Sequence, residues 1–258
     1  MGKAKTKRNA KQARGKVDKA QTKMILDNKK AIDEIKGNTE LKYNIYSNYG
    51  VGVSYPDLST VSGRRTNIIP ITIGGVQGTS DSDRIGDKVS LKTIQLRYAL
   101  SLENGAVASA DEYNRVRVLM FWDTMPYEVA SVSAGQVALN NPEWQMLLQS
   151  VKVGLTSPPE LAVLSTKDHD MKGRFQFIYD EVHTLTSNGN TSNNIGLGAR
   201  SVTNIVKMFK KYQGRLVSYR GGGTIPMNRQ LYLAFISDST AINHPFVNYY
   251  VKCQYSDK

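Results

Sequence analysis

The 258 residues carry 34 Lys and Arg against 22 Asp and Glu, a net charge of +12, with one cysteine, Cys253. A lone cysteine excludes an internal disulfide and a cysteine-based zinc site within one chain. No apolar run reaches the ~18 residues of a membrane-spanning helix, and the N-terminus has no apolar signal stretch, so a soluble chain of the cytosol or nucleus is expected and the Asn190-Thr191-Ser192 sequon means nothing.

The first 23 residues hold nine basic side chains, Lys3, Lys5, Lys7, Arg8, Lys11, Arg14, Lys16, Lys19 and Lys23, against one acid, Asp18. This tip has too little apolar surface to offset its own chain entropy, and it reads as a nucleic-acid-binding arm, disordered until a polyanion binds. Lys3, Lys5, Lys7, Arg8 and Lys11 also form a basic cluster of the kind read as a nuclear localisation signal. Residues 16–36 carry a helical pattern. At about 100° per residue, Lys16, Lys19, Lys23 and Lys30 share a sector roughly 60° wide, with Ile25, Ile32 and Ile35 on the opposite side. Lys23–Asp27, Lys29–Asp33 and Lys30–Glu34 are i,i+4 pairs, and Gly37-Asn38 is a stop. Such a helix docks its isoleucines on the body, or offers lysines to phosphates and isoleucines to neighbouring copies; the two are compatible.

The arm with its helix spans 1–37, a connector 38–66 and the body 67–258. In the connector Tyr43, Tyr46 and Tyr49 recur every three residues, ahead of Ser62-Gly63-Arg64-Arg65. They either pack the connector on the body or stack bases of a single strand beside the arginines. Strand signals follow. Residues 67–73 are a short strand that Pro70 demotes to an edge or a bent position. Over 89–103 the apolar residues alternate from Ile94 to Leu102, with Val89 and Leu91 in the opposite phase, which predicts a bulge near Lys92-Thr93. Residues 114–122 turn apolar on both faces, as a central strand does. A short helix covers 142–150 with Pro142 at its start. Residues 161–165, 174–185, 214–219, 230–236 and 246–256 complete eight strands. The excess of 14 Tyr over 6 Phe and 2 Trp suits a β-rich protein with much interface. Eight strands with long, uneven loops predict an all-β protein, a single eight-stranded jelly roll of two packed antiparallel sheets.

Signals for catalysis are weak. His169, His183 and His244 are far apart and lack metal-ligand spacing. Asp168-His169-Asp170 reads as a polar loop, because neighbours on a strand point to opposite faces. Gly196-Leu197-Gly198 and Gly221-Gly222-Gly223 lack the Lys-Ser/Thr of a phosphate loop, and there is no Gly-x-Ser-x-Gly elbow. Asp81, Asp83 and Asp87 could offer oxygens to calcium, but acids in a Gly/Ser-rich loop are ordinarily just solvated. No catalytic residues, cofactor or metal are assigned, and the chain is not expected to be an enzyme.

The body resembles the capsid proteins of small circular single-stranded DNA viruses (the CRESS-DNA group) and their relatives of the satellite tobacco necrosis virus class. The resemblance rests on the run Arg84-Ile85-Gly86-Asp87-Lys88-Val89-Ser90-Leu91-Lys92 and on Val116-Arg117-Val118-Leu119-Met120-Phe121-Trp122-Asp123. Phe177-Ile178-Tyr179-Asp180-Glu181, Lys207-Met208-Phe209-Lys210-Lys211 and Leu231-Tyr232-Leu233-Ala234-Phe235-Ile236-Ser237-Asp238 follow in the same order, over roughly residues 67–256. It implies a jelly roll whose copies, about sixty in the simplest members, close an icosahedral shell around the genome. The tip departs from the Arg-rich tips of many members, with seven Lys and two Arg. The expected function is a structural capsid protein that packages single-stranded DNA, or RNA in second place, through non-specific contacts of the nine arm cations. Expected partners are nucleic acid, further copies of the chain and a nuclear import receptor, with no membrane; the expected location is the virion, with the host nucleus during assembly. The alternative is a cellular, non-assembling single-stranded nucleic-acid-binding protein.

Overall fold

Eight strands, the central ones with alternating apolar residues, pair into two antiparallel four-stranded sheets in the order β1-β8-β3-β6 and β2-β7-β4-β5. They are β1 (Lys42–Gly52), β2 (Ile68–Ile71), β3 (Lys88–Ser101), β4 (Tyr113–Asp123), β5 (Phe175–Thr186), β6 (Val206–Ser218), β7 (Gln230–Ser237) and β8 (Phe246–Asp257). This is the jelly roll expected from the sequence: the antiparallel pairs β1-β8, β3-β6, β2-β7 and β4-β5 lie two to a sheet and wrap around one core. The computed structural model describes residues 18–19, 21–32, 41–78, 83–102, 113–126, 141–151, 159–186, 206–219, 223–224, 226–240 and 245–257. The chain divides into two units, Met1–Glu40 and Leu41–Lys258.

In the first unit, residues 18–19 and 21–32 are helical (α1), and Thr22 donates its hydroxyl to the Asp18 carbonyl at 2.8 Å. Lys16, Ile35, Asp33 and Glu34 of the expected helix lie outside the described residues.

In the second unit the inward faces interdigitate. Ile94, Leu96, Tyr98 and Leu100 of β3 and Val247, Val251, Cys253 and Tyr255 of β8 meet Val116, Val118, Met120 and Trp122 of β4 and Leu231, Leu233 and Phe235 of β7. The register of β3 shifts between Leu91 and Thr93, the bulge expected from the phase change. Pro70 lies in β2, an edge strand, where its missing N–H costs no ladder bond. The thiol of Cys253 is fully buried, and burial pushes its pKa up to about 12.

Two expectations need correction. Residues 42–52, read as connector, form β1, the edge of the first sheet. Of residues 161–165, read as a strand, 161–164 belong to the helix α4 (Pro159–Leu164) and Ser165 follows it. There Ala162 and Val163 are buried while Leu161 and Leu164 are exposed, the adjacent pairing of a helical face rather than the alternation of a strand. The two errors cancel in the count of eight. A third strand was read too short, since β6 begins at Val206, within the basic run.

The outer face of the second sheet is covered by the chain between β4 and β5. Helix α3 (Trp144–Leu147), a 3-10 turn (Gln149–Val151) and α4 close a second core, in which Trp144, Leu147, Val151 and Ala162 pack on Leu119, Phe121, Tyr232 and Ala234. Phe121 stacks on Tyr232 with ring centroids 5.5 Å apart. Buried ion pairs fasten this layer. Arg117 forks onto Asp180 at 2.8 and 3.0 Å and donates to the Val163 and Ser165 carbonyls. Lys167 also reaches Asp180, at 3.0 Å, and Arg174 forks onto the buried Asp123 at 2.9 and 2.7 Å. A short helix α2 (Val61–Arg64) is capped by Thr60, whose hydroxyl accepts from the Gly63 N–H.

Candidate nucleic-acid interface

The outer face of the first sheet is built differently. The four strands β1, β8, β3 and β6 contain Lys42, Lys88, Lys92, Arg97, Lys207, Lys210, Lys211, Arg215 and Lys252, against one acid, Asp257. Lys42 turns inward at the end of the sandwich, where its ammonium meets Asp257 at 3.1 Å and donates to the Asp83 carbonyl at 2.7 Å. Arg215 also turns inward, its guanidinium 4.6 Å over the Trp122 ring. Lys210, opposite the buried Ile94, has the inward phase at the exposed rim, and the outward positions of these four strands carry cations and no carboxylate.

Strand register gathers them. Arg97 of β3 sits opposite Lys207 of β6 and Tyr250 of β8; Gln95 sits opposite Phe209 and Lys252; Thr93 sits opposite Lys211. The Cβ atoms of such cross-strand neighbours are about 5 Å apart, so Arg97, Lys207, Lys211 and Lys252 form one cationic field. Among the described residues none of the four pairs with an acid. Aromatic rings are interleaved with them. The Lys252 ammonium lies 4.6 Å from the Tyr43 ring and that of Lys211 6.0 Å from Phe209, cation–π contacts that leave the charges facing outward.

The tyrosines of β1 divide between the faces. Tyr43 and Tyr49 are exposed, whereas Tyr46 turns in and donates its hydroxyl to the Thr72 carbonyl at 2.7 Å. Tyr46 is held in its neutral form by burial, its hydrogen bond to Thr72 opposing. Tyr49 is 80 % exposed, on the same outward phase as Tyr43, and lies where the register with β8 shifts between Asn48 and Val51. Gly50 takes the left-handed conformation this requires (φ 65°), and its N–H donates to Asn248 Oδ1 at 2.7 Å. Arg64 and Arg65, expected beside the tyrosines, instead pair with Glu143 at 3.5 and 3.2 Å and serve the covered side of the molecule.

A cleft of about 450 Å³ opens on this face between the β1 bulge and strands β8 and β3. Tyr49, Gln95, Arg97, Asn248, Tyr250 and Lys252 contribute to its walls. Ala99, opposite Asn248 across the β3–β8 ladder, has no side chain beyond Cβ and keeps the floor low.

Of the nine arm residues expected to bind nucleic acid, Lys3, Lys5, Lys7, Arg8, Lys11, Arg14 and Lys16 lie outside the described residues. Lys19 and Lys23 are exposed on α1. Exposed with them are Met24, Ile25, Leu26 and Ile32.

The residues weighed for other chemistry take structural roles. Asp168 Oδ1 accepts from the Asp170 N–H at 3.0 Å in a turn, beside an exposed His169. His183 lies on the inward side of β5, its Nε2 2.6 Å from the Tyr98 hydroxyl, which also meets Tyr179 at 2.7 Å. Burial lowers the His183 pKa below its ordinary value, with Glu181 pulling the other way, so the ring is neutral at pH 7. Asp87 pairs at 3.5 Å with Arg84, a fully buried guanidinium stacked 4.3 Å from the Tyr219 ring. His244, Asp81, Gly196, Gly198, Gly221 and Gly222 lie outside the described residues. Among the described residues no three His, Cys, Asp or Glu side chains group to hold a metal ion, and no helix is long and apolar enough to cross a membrane.

No protein-family profile matches the chain, and no curated protein is detectably similar to it in sequence.

Proposed function

We propose that the chain is a structural shell protein, copies of which assemble into an icosahedral capsid and package a single-stranded genome, DNA in the first place, through non-specific electrostatic contacts. The observation that carries this is the segregation of charge between the two sheets. Among the described residues of the second unit, the outer face of β1-β8-β3-β6 is cationic and aromatic with no helix over it, while that of β2-β7-β4-β5 is covered by the chain's own helices. A shell subunit needs unlike faces, one of them presented to polyanion. The arm adds a net +8 over residues 1–23. Lysine suits the task, since it neutralises phosphate as a point charge without a required bidentate geometry. No catalytic step enters, and assembly would use the edges and loops of the jelly roll.

Size-exclusion chromatography of the native protein, with nuclease digestion of what it carries, tests this. Elution in the void volume with nuclease-protected nucleic acid is expected, and DNase against RNase identifies the cargo. Elution as a monomer that still binds single strands would overturn assembly and leave the non-assembling binding protein.

A further inference from the structure

We infer that the cleft beside the β1 bulge seats one nucleotide of the bound strand, its base against Tyr49 and Tyr250 and its phosphate at Arg97 and Lys252; this rests on the nucleic-acid reading of the outer face. The face as a whole offers point charges, which attract any polyanion. The cleft offers more. Its volume of about 450 Å³ falls within the roughly 300–1,000 Å³ of small-molecule sites. Of the four tyrosines that line it, Tyr49 and Tyr250 lie on the outward side, together with two cations and the amides of Gln95 and Asn248, and the lining has no carboxylate. A planar ring with a neighbouring phosphate is the ligand chemistry this combination recognises: π-faces for stacking, cations for the phosphate, amides for base edges.

The bulge supplies a second, independent observation. Alternation along β1 sends Tyr49 outward with Tyr43 and Ile45, and the bulge that follows it fixes the backbone at the rim of the cleft. Here the inserted residues, the left-handed Gly50 and the hydrogen bond from its N–H to Asn248 do so, and Asn248 itself lines the cleft. The backbone that presents Tyr49 is thus fixed before any ligand arrives, which removes part of the ordering cost of binding. Stacking on exposed rings is indifferent to base identity, so such a cleft suits a protein that holds any sequence.

The test uses the full chain, unassembled, with fluorescence anisotropy on a 12-nucleotide single strand, on the same strand with abasic sites, and on free mononucleotide. At a salt concentration that screens the arm, Tyr49→Ala and Tyr250→Ala are each expected to weaken the normal strand about five- to tenfold and to leave the abasic strand unchanged. Tyr250→Phe, which keeps the ring, should retain binding, which separates stacking from misfolding. Mononucleotide binding lost in the same variants would mean that the cleft also takes free nucleotides; retention of the mononucleotide signal would place that binding elsewhere and limit the cleft to the strand. If the tyrosine variants bind as wild type while Arg97→Gln with Lys207→Gln weakens binding, the face stands and the cleft falls. If neither set changes binding, both fall.

Discussion

At the scale of single residues, the sandwich depends on a few charges taken out of water together. Arg117 keeps 7 % of its side-chain surface and Asp180 21 %, and two parallel hydrogen bonds join them. Burial alone would raise the Asp180 pKa, but the hydrogen bonds and charges of Arg117 and Lys167 outweigh it and hold the carboxyl below its ordinary value. A folded-state pKa below the unfolded one contributes stability above the unfolded value, about 3.9 for Asp, and that contribution is lost as pH falls through the folded value. Asp180→Asn leaves Arg117 buried without its counter-charge. Its expected cost at pH 7 is about 3 kcal/mol, the low end for breaking a buried pair because the carboxylate is partly wet. Urea denaturation of both proteins from pH 7 down to pH 2.5 checks this: the gap should be constant at neutral pH and shrink below about pH 4. A gap that persists unchanged into acid would show that the loss comes from packing and not from the ion pair.

At the scale of elements, strands with a clean alternation were legible, and those whose inward positions are polar were not. β3, β4, β7 and β8 each place an unbroken apolar set on the core, and Pro70 marked an edge correctly. In β1 the inward side holds Lys42, Asn44 and Tyr46, and tyrosines three apart suggest a turn or helix although a strand sends them out, in and out again. In β6 three lysines among six residues obscure the alternation, because an edge strand wets both sides of its rim. The candidate site was legible only in its arm, where the charges are contiguous. Arg97, Lys207 and Lys252 are more than forty positions apart, and only the β6-β3-β8 register makes them neighbours. The β1 bulge was equally hidden, and it can be tested alone. A Cβ at Gly50 would meet nothing within 4 Å, so a substitution there reports the left-handed backbone and no clash. Gly50→Ala is expected to cost about 1 kcal/mol and Gly50→Asn less, because Asn tolerates that conformation. Equal losses in the two variants, measured by urea denaturation, would mean that the backbone conformation is not the cause.

At the scale of the whole molecule, two cationic elements compete to explain binding, and salt separates them. Neutralising Z phosphates of a single strand lowers log affinity with log salt at a slope of about −0.7Z. The arm, with a net +8 over residues 1–23, alone gives a slope of about −5 to −6. If Arg97, Lys207, Lys211 and Lys252 engage the same strand, the slope of the full chain steepens to about −8. Changing these four residues to Gln should return it to the arm's value, and deleting residues 1–23 should leave a residual slope of about −3. The variants should also preserve the fold, since all four side chains point away from the core and pair with no acid among the described residues. Point-charge contacts carry no base information, so random strands of equal length should differ by less than about tenfold at fixed salt. Anisotropy on unassembled protein at four or five salt concentrations decides the matter. A full-chain slope near −5.5 that the Gln variant does not alter would confine binding to the arm and leave the outer face to another role. A full-chain slope near −3 that deletion of residues 1–23 does not alter would remove the arm as the main element and leave the binding to the cations and tyrosines of the first sheet.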